Sequence, residues 1–144
     1  MGGATFHSID TMPEPGDIVW CKFPLRERPG RPGPWVRPTL VTESVVHENA
    51  ETGHRFGSVW VSYGTDLRKV SDKLHFAVST MAHARKIGLH KPTAFCFSGG
   101  NVKHLVWCAE YFIPPDYLHC RAIIMGRLSD EDREEVRKLL PSRS

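Results

Sequence analysis

The sequence predicts a mainly β protein: a small, strongly bent sheet or barrel with one helix in the middle of the chain and one at its C-terminus. About five to seven short runs of β-branched and aromatic residues are separated by turns rich in glycine and proline. Only two segments, 79–88 and 129–140, combine helical spacing of apolar residues with capping residues. The length of 144 residues fits one domain with its own core. We therefore expect a single domain over residues 16–140, a flexible N-terminal arm over 1–15 and a short tail over 141–144.

Three strands are predicted in the first half of the chain. Each is a run of strand-forming residues bounded by turn signals; they cover 16–24, 35–43 and 58–65. Between the first two lies LRERPGRPGP (25–34), which holds three prolines, two glycines and three arginines. Neither a helix nor a central strand tolerates that composition, so an exposed loop is predicted there. The polar stretch 47–57 is predicted to connect the second strand to the third as a hairpin.

The second half is predicted to alternate short strands with two helices. Further strands are expected at 74–78, 91–97, 104–112 and 120–126. The helix at 79–88 has Ser79 or Thr80 as its N-cap and ends at Gly88. In the helix at 129–140, Ser129 is the N-cap and Asp132 lies three residues on. Acidic residues in the first turn and basic residues in the last turn suit the helix dipole, which makes this helix the clearest element of the sequence.

Composition and charge exclude several classes of protein. Hydrophobic residues make up 40% and charged residues 24%, which is typical of a globular domain rather than a disordered chain. No apolar run approaches a membrane span, and the N-terminus lacks a signal-peptide core, so a cytoplasmic protein is expected. The four cysteines form no C-x-x-C pair and the eight histidines show no metal-ligand spacing, so we expect reduced thiols, no metal and no cofactor. A net charge of +3 is compatible with a nucleic-acid partner.

Four segments in this order resemble the PemK/MazF family of toxin–antitoxin ribonucleases. They are the opening strand GDIVWCKFP, the Gly-rich loop that ends in RPTLV (37–41), the strand end VSYGTD (61–66) and the start of the last helix, GRLSDED (126–132). The likeness spans roughly residues 15–140, and the YGT in the third segment is similar to a divergent branch of the family. The resemblance implies a small SH3-like β-barrel of the CcdB/PemK type, working as a homodimer. It also implies single-stranded RNA as substrate and a cognate antitoxin as protein partner.

Arg37 and Thr65 are the candidate catalytic residues. A metal-independent ribonuclease uses the RNA's own 2′-hydroxyl to attack the adjacent phosphorus, and the protein must stabilise charge on the phosphoryl oxygens. The planar guanidinium of Arg37 can bind two of those oxygens, and Pro38 favours an extended backbone before it. The resemblance implies that Arg37 and Thr65 act as the catalytic pair. Two structural alternatives remain open: Arg37 as a solvated charge at a strand edge, and Thr65 as a turn residue whose hydroxyl satisfies the local backbone.

A second group is needed to move the proton, because arginine is a poor general base. Histidine is the natural residue type, since its charge changes near neutral pH. His90 and His104 lie near predicted strand ends, but nothing in the sequence places either beside Arg37. The alternative for both is a surface or partly buried histidine with no chemical role.

The basic loop supplies the candidate RNA-binding residues. Arg26, Arg28 and Arg31, with Trp35 just after them, are predicted to form an electrostatic and stacking surface for single-stranded RNA. The alternative is an ordinary solvated loop.

Two functions from different classes are consistent with the sequence. The first is an endoribonuclease toxin that cleaves single-stranded RNA without metal. The second is a non-catalytic binding or inhibitory module on the same barrel, such as a phage or mobile-element regulator or a protein that poisons its target by binding. The second is motivated by the loop 25–34 and the segment 91–112, which differ from the family's usual pattern.

Overall fold

The computed structural model describes residues 5–116 and 122–140. These residues form an antiparallel sheet curled into a half-barrel, with a short helix in the middle of the chain and a helix at its C-terminal end. The strands are β1 (Asp17–Cys21), β2 (Arg37–Glu48), β3 (Arg55–Asp66), β4 (His75–Val78), β5 (Thr93–Cys96), β6 (Val102–Val106) and β7 (Ile124–Arg127); the helices are α1 (Met81–Lys86) and α2 (Asp130–Leu139). The predicted mainly β class and both predicted helices are confirmed.

The long strand β3 organises the sheet. The strands follow the order β4-β5-β3-β2-β1-β7, and β6 also pairs with β3. The stretch 58–62 of β3 pairs with β6 and the stretch 63–66 pairs with β5, while β2 lies along its other side. The β2–β3 register shifts between Val41 and Glu43, which marks a β-bulge. Bulges increase local twist and bend, which suits the curled shape of this sheet.

The sheet buries an apolar cluster on each face. Along β1, Ile18 belongs to the cluster beneath the helices, whereas Val19 and Cys21 belong to the other. All five residues of β1 are therefore buried, because successive side chains of a strand point to opposite faces. Helix α1 contributes Ala84 and α2 contributes Val136 to the first cluster.

The helix caps are those that the sequence predicts. Thr80 Oγ1 accepts the His83 N–H at 3.1 Å at the start of α1, and Ser129 Oγ accepts the Asp132 N–H at 3.1 Å at the start of α2. Gly88, just after α1, has a φ of 92°, a value that favours glycine. Its position against β7 also requires glycine, since an added Cβ would lie 2.3 Å from the Met125 carbonyl oxygen.

Two stretches differ from the elements predicted for them. The predicted strand at 104–112 ends at Val106, and 107–112 form a turn in which the Cys108 carbonyl accepts the N–H groups of Tyr111 and Phe112. The apolar residues there, Trp107 and Phe112 among them, are buried in the second core cluster rather than paired in the sheet. The predicted hairpin connection 47–57 is shorter than expected, because the strands run to Glu48 and from Arg55.

Residues of the predicted N-terminal arm contact the 107–112 turn. Phe6 forms an isolated bridge with Cys108, and the Trp107 indole N–H donates to Thr11 Oγ1 at 3.1 Å. The flexibility predicted for residues 1–15 stays a prediction, and the predicted tail 141–144 lies outside the described residues. Within the described ranges, no helix has the length and hydropathy needed to cross a membrane.

Candidate functional site

Arg37 and Thr65 lie on neighbouring strands and line the same cleft. Thr39 of β2 pairs with Tyr63 of β3, and continuing this register by two residues puts Arg37 level with Thr65. Gly64 lets the strands approach here: an added Cβ would lie 2.5 Å from the Pro38 carbonyl oxygen. The cleft has a volume of about 550 Å³, and we call it the Arg37–Thr65 cleft.

The Arg37 guanidinium is held by aromatic rings rather than by a carboxylate. Its central carbon lies 5.9 Å from the ring centroid of Trp35 and 5.6 Å from that of Tyr63. Among residues 5–116 and 122–140, Arg37 has no ion-pair or hydrogen-bond partner for its side chain. Cation–π contacts position a guanidinium while leaving its N–H donors available to a ligand.

Thr65 is a strand residue, not a turn residue. Strand β3 continues to Asp66, and within the described part of the chain no group hydrogen-bonds to the Thr65 hydroxyl. Asp66 begins the 3₁₀ turn 67–69 and forms ion pairs with Arg68 at 3.0 Å and with Lys91 at 3.4 Å. The hydrogen bonds from Arg68 hold the pKa of Asp66 well below its usual range, so this carboxylate stays charged.

The cleft carries more positive than negative charge. Three cationic side chains line it, Arg37, Lys69 and Lys91, against the single carboxylate of Asp66. Lys91 is already paired with that carboxylate. The cleft therefore favours an anionic group such as a phosphate near Arg37.

The structure places one of the two candidate histidines in the cleft. His90 lines it together with Arg37 and Thr65, and its ring stacks on Trp20 with centroids 6.0 Å apart. His104 lies elsewhere on the sheet, where its Nε2 is 2.6 Å from Ser58 Oγ. Of the two candidate histidines, His90 is therefore the one that shares a cleft with Arg37 and Thr65.

A second, smaller cleft adjoins the first. Its volume is about 200 Å³, and we call it the Arg26 cleft. Trp35 and Arg37 line both clefts, and Trp35 is 62% exposed. The other residues that line the Arg26 cleft include Arg26, Asn101 and Lys103. The two clefts therefore flank the Arg37 guanidinium, and the exposed indole between them can stack a base.

The basic loop divides into two parts. Arg26 and Trp35 line the Arg26 cleft together with Arg37, whereas Arg28 and Arg31 are exposed and line neither cleft. The loop is fixed near its end, where the Gly33 N–H donates to the Lys22 carbonyl at 3.0 Å. An added Cβ at Gly33 would lie 2.1 Å from the Phe23 carbonyl oxygen, so only glycine fits this close approach.

Several residues of the site were not predicted from the sequence. Tyr63 had a usable signal, because it lies two residues before Thr65 in one strand and so faces the same side. No sequence signal indicated Lys69, Lys91 or Lys103, because their positions depend on the paths of loops and on the pairing of β6 with β3.

Among the described residues, no group of three or more His, Cys, Asp or Glu side chains is arranged to hold a metal ion. In comparisons with known proteins, no family model matches the chain, and neither does any curated protein or solved structure.

Proposed function

We propose that the protein is an endoribonuclease that cleaves single-stranded RNA at the Arg37–Thr65 cleft without a metal ion, on a small SH3-like barrel of the CcdB/PemK type. The observation that carries the proposal is a guanidinium without a carboxylate partner among the described residues, beside the unpartnered Thr65 hydroxyl in a cationic cleft. A phosphate that enters this cleft meets both groups.

In the proposed reaction the 2′-oxygen attacks the adjacent phosphorus. The new 2′-O–P bond forms as the P–O5′ bond breaks, which leaves a 2′,3′-cyclic phosphate and a free 5′-hydroxyl. Arg37 binds two non-bridging oxygens and stabilises their developing charge, and Thr65 donates a further hydrogen bond. His90 moves the proton that the 2′-hydroxyl loses and the 5′-oxygen gains.

The surroundings of Arg37 support a single-stranded substrate. The exposed Trp35 offers a stacking surface for an unpaired base on the wall that both clefts share. Arg26 and Lys103 supply positive charge to the neighbouring nucleotide in the Arg26 cleft. The proposal also includes a cytoplasmic homodimer and a cognate antitoxin, both of which rest on the likeness of the four sequence segments to the PemK/MazF family.

A non-catalytic binding or inhibitory module is the second candidate. The Asp66 carboxylate favours it, because it follows Thr65 directly and lines the same cleft, where it repels a phosphate. In this reading the cleft and the exposed Trp35 bind a partner and perform no chemistry.

Cleavage of a labelled single-stranded RNA in the presence of EDTA tests the proposal. The wild-type protein should cut, and Arg37→Gln should lower the rate by about a hundredfold or more, the usual effect of removing a group that stabilises transition-state charge. Thr65→Val should lower it less. Arg85→Gln is the matched control, because Arg85 is exposed on α1 and lines neither cleft.

The outcomes separate the two candidates. Undiminished cutting by a folded Arg37→Gln variant would refute the role of Arg37. Wild-type protein that binds RNA or a protein partner but never cuts would favour the binding module.

A further inference from the structure

A third groove lies away from both clefts, between α2, the turn at 14–16 and β2. Its volume is about 640 Å³, and it shares no lining residue with the Arg37–Thr65 cleft or the Arg26 cleft. Its apolar lining includes Leu40, Val41, Leu128, Val136 and Leu140. Arg133 and Arg137 of α2 also line it, and we call it the Arg133 groove.

Arg133 lines this groove and forms no ion pair with any residue that the structure describes. Its Nε is buried and has no hydrogen-bond partner within residues 5–116 and 122–140. The side chain lies against Gly16, where an added Cβ would be 2.5 Å from Nε. Gly16 has a φ of 96° and is fixed by hydrogen bonds from its N–H to the Val41 carbonyl and from the Leu128 N–H to its own carbonyl.

The other charges of the groove do not neutralise Arg133. Arg137 forms an exposed ion pair with Glu134 at 2.8 Å, and Glu14 lies 3.8 Å from Arg127. Burying the Nε end of a guanidinium without a partner is unfavourable, and an anion at the accessible end of the same half-buried side chain would offset that cost through its charge. The Glu14 carboxylate in the same groove disfavours a ligand with several negative charges.

We propose that the Arg133 groove binds a small monocarboxylate with an apolar tail. The carboxylate pairs with the Arg133 guanidinium, and the tail covers the apolar lining contributed by β2 and α2. A neutral apolar molecule would leave the guanidinium unpaired, and a small anion without a tail would leave the apolar lining exposed to water. The volume of the groove suits a small organic ligand. This site does not depend on the proposed RNA cleavage.

Calorimetric titration with octanoate tests this site. Octanoate should bind in a saturable manner, whereas octanol, which has the tail without the charge, and acetate, which has the charge without the tail, should each bind at least about tenfold more weakly. Arg133→Met should weaken octanoate binding by about tenfold to a hundredfold, since it removes a charge-assisted hydrogen bond. Arg85→Met, an exposed substitution outside the groove, should bind octanoate as the wild type does.

The thermal midpoint provides a second measurement that includes a check on folding. Octanoate should raise the midpoint of the wild type and of Arg133→Lys, which keeps the charge, but not that of Arg133→Met. Without octanoate, Arg133→Met should melt at or above the wild-type temperature, because a buried donor without a partner is removed. Equal octanoate binding by Arg133→Met and the wild type, equal binding of octanol and octanoate, or no saturable binding would overturn the proposal.

Discussion

Gly64→Ala tests how closely β2 and β3 must approach at the candidate site. The added Cβ would lie 2.5 Å from the Pro38 carbonyl oxygen and 3.0 Å from Phe95 Cε1. Ordinary contact begins at 3.4 Å, so the strands must separate by up to about 0.9 Å, and the Pro38 oxygen belongs to the backbone and cannot rotate away. We expect a loss of about 1–3 kcal/mol in the free energy of unfolding, as for other overpacked interiors.

This substitution should affect activity as well as stability. At roughly 3 °C per kcal/mol for a domain of this size, the midpoint of thermal unfolding should fall by about 3–9 °C. Because Arg37 and Thr65 flank Gly64 on the separated strands, the rate of RNA cleavage should fall by about a hundredfold, the cost of a displacement near 1 Å. Calorimetry and the EDTA cleavage assay measure the two effects.

Gly30→Ala is the matched control for Gly64→Ala. An added Cβ at Gly30 would meet nothing within 4 Å, so the change should stay within about 0.5 kcal/mol of the wild type. A Gly64→Ala variant that melts and cuts like Gly30→Ala would refute the argument that the strand spacing positions the site.

Two further predictions concern titrating groups. Burial opposes ionisation of Asp72, but hydrogen bonds led by that from Ser98 outweigh it and lower its pKa. The ionised Asp72 carboxylate therefore stabilises the folded state above its unfolded pKa of about 4, and this stabilisation is lost as the pH falls through the lower pKa of the folded state. The melting difference between wild type and Asp72→Asn should accordingly vanish in strong acid. Burial raises the pKa of Cys96 to about 11 and also raises that of Cys21 and Cys108. In a Cys120→Ser variant, the three remaining thiols should therefore react with Ellman's reagent at about pH 8 only when the protein unfolds. Fast reaction of these thiols in the native protein would contradict this expectation.

Much of the fold could be predicted from the local pattern. Strand-forming runs bounded by turns correctly predicted β1 and β3, and capping residues correctly predicted where both helices begin. The segment 107–112 was predicted wrongly, because a turn buried in the core has the same apolar composition as a strand. Composition alone does not distinguish the two.

The candidate site was only partly predictable. Arg37 and Thr65 were predicted from a proposed resemblance of short sequence segments, and the strand register explains why the two residues line one cleft. The position of His90 depends on the path of the chain between α1 and β5, which no short sequence pattern specifies. The lack of a hydrogen-bond partner for Arg133 Nε among the described residues could not be predicted either, since helical spacing gives the face on which a side chain lies but not the groups around it.

The chemical nature of the RNA ends is the most direct test of the central proposal. Wild-type protein in EDTA should cut a single-stranded RNA into fragments that end in a 2′,3′-cyclic phosphate and begin with a 5′-hydroxyl, as mass spectrometry of the products would show. A single 2′-deoxy substitution at the cut position should block cleavage there, because the attacking hydroxyl is absent. Fragments that begin with a 5′-phosphate, or cleavage that ignores the 2′-deoxy substitution, would contradict the proposed reaction.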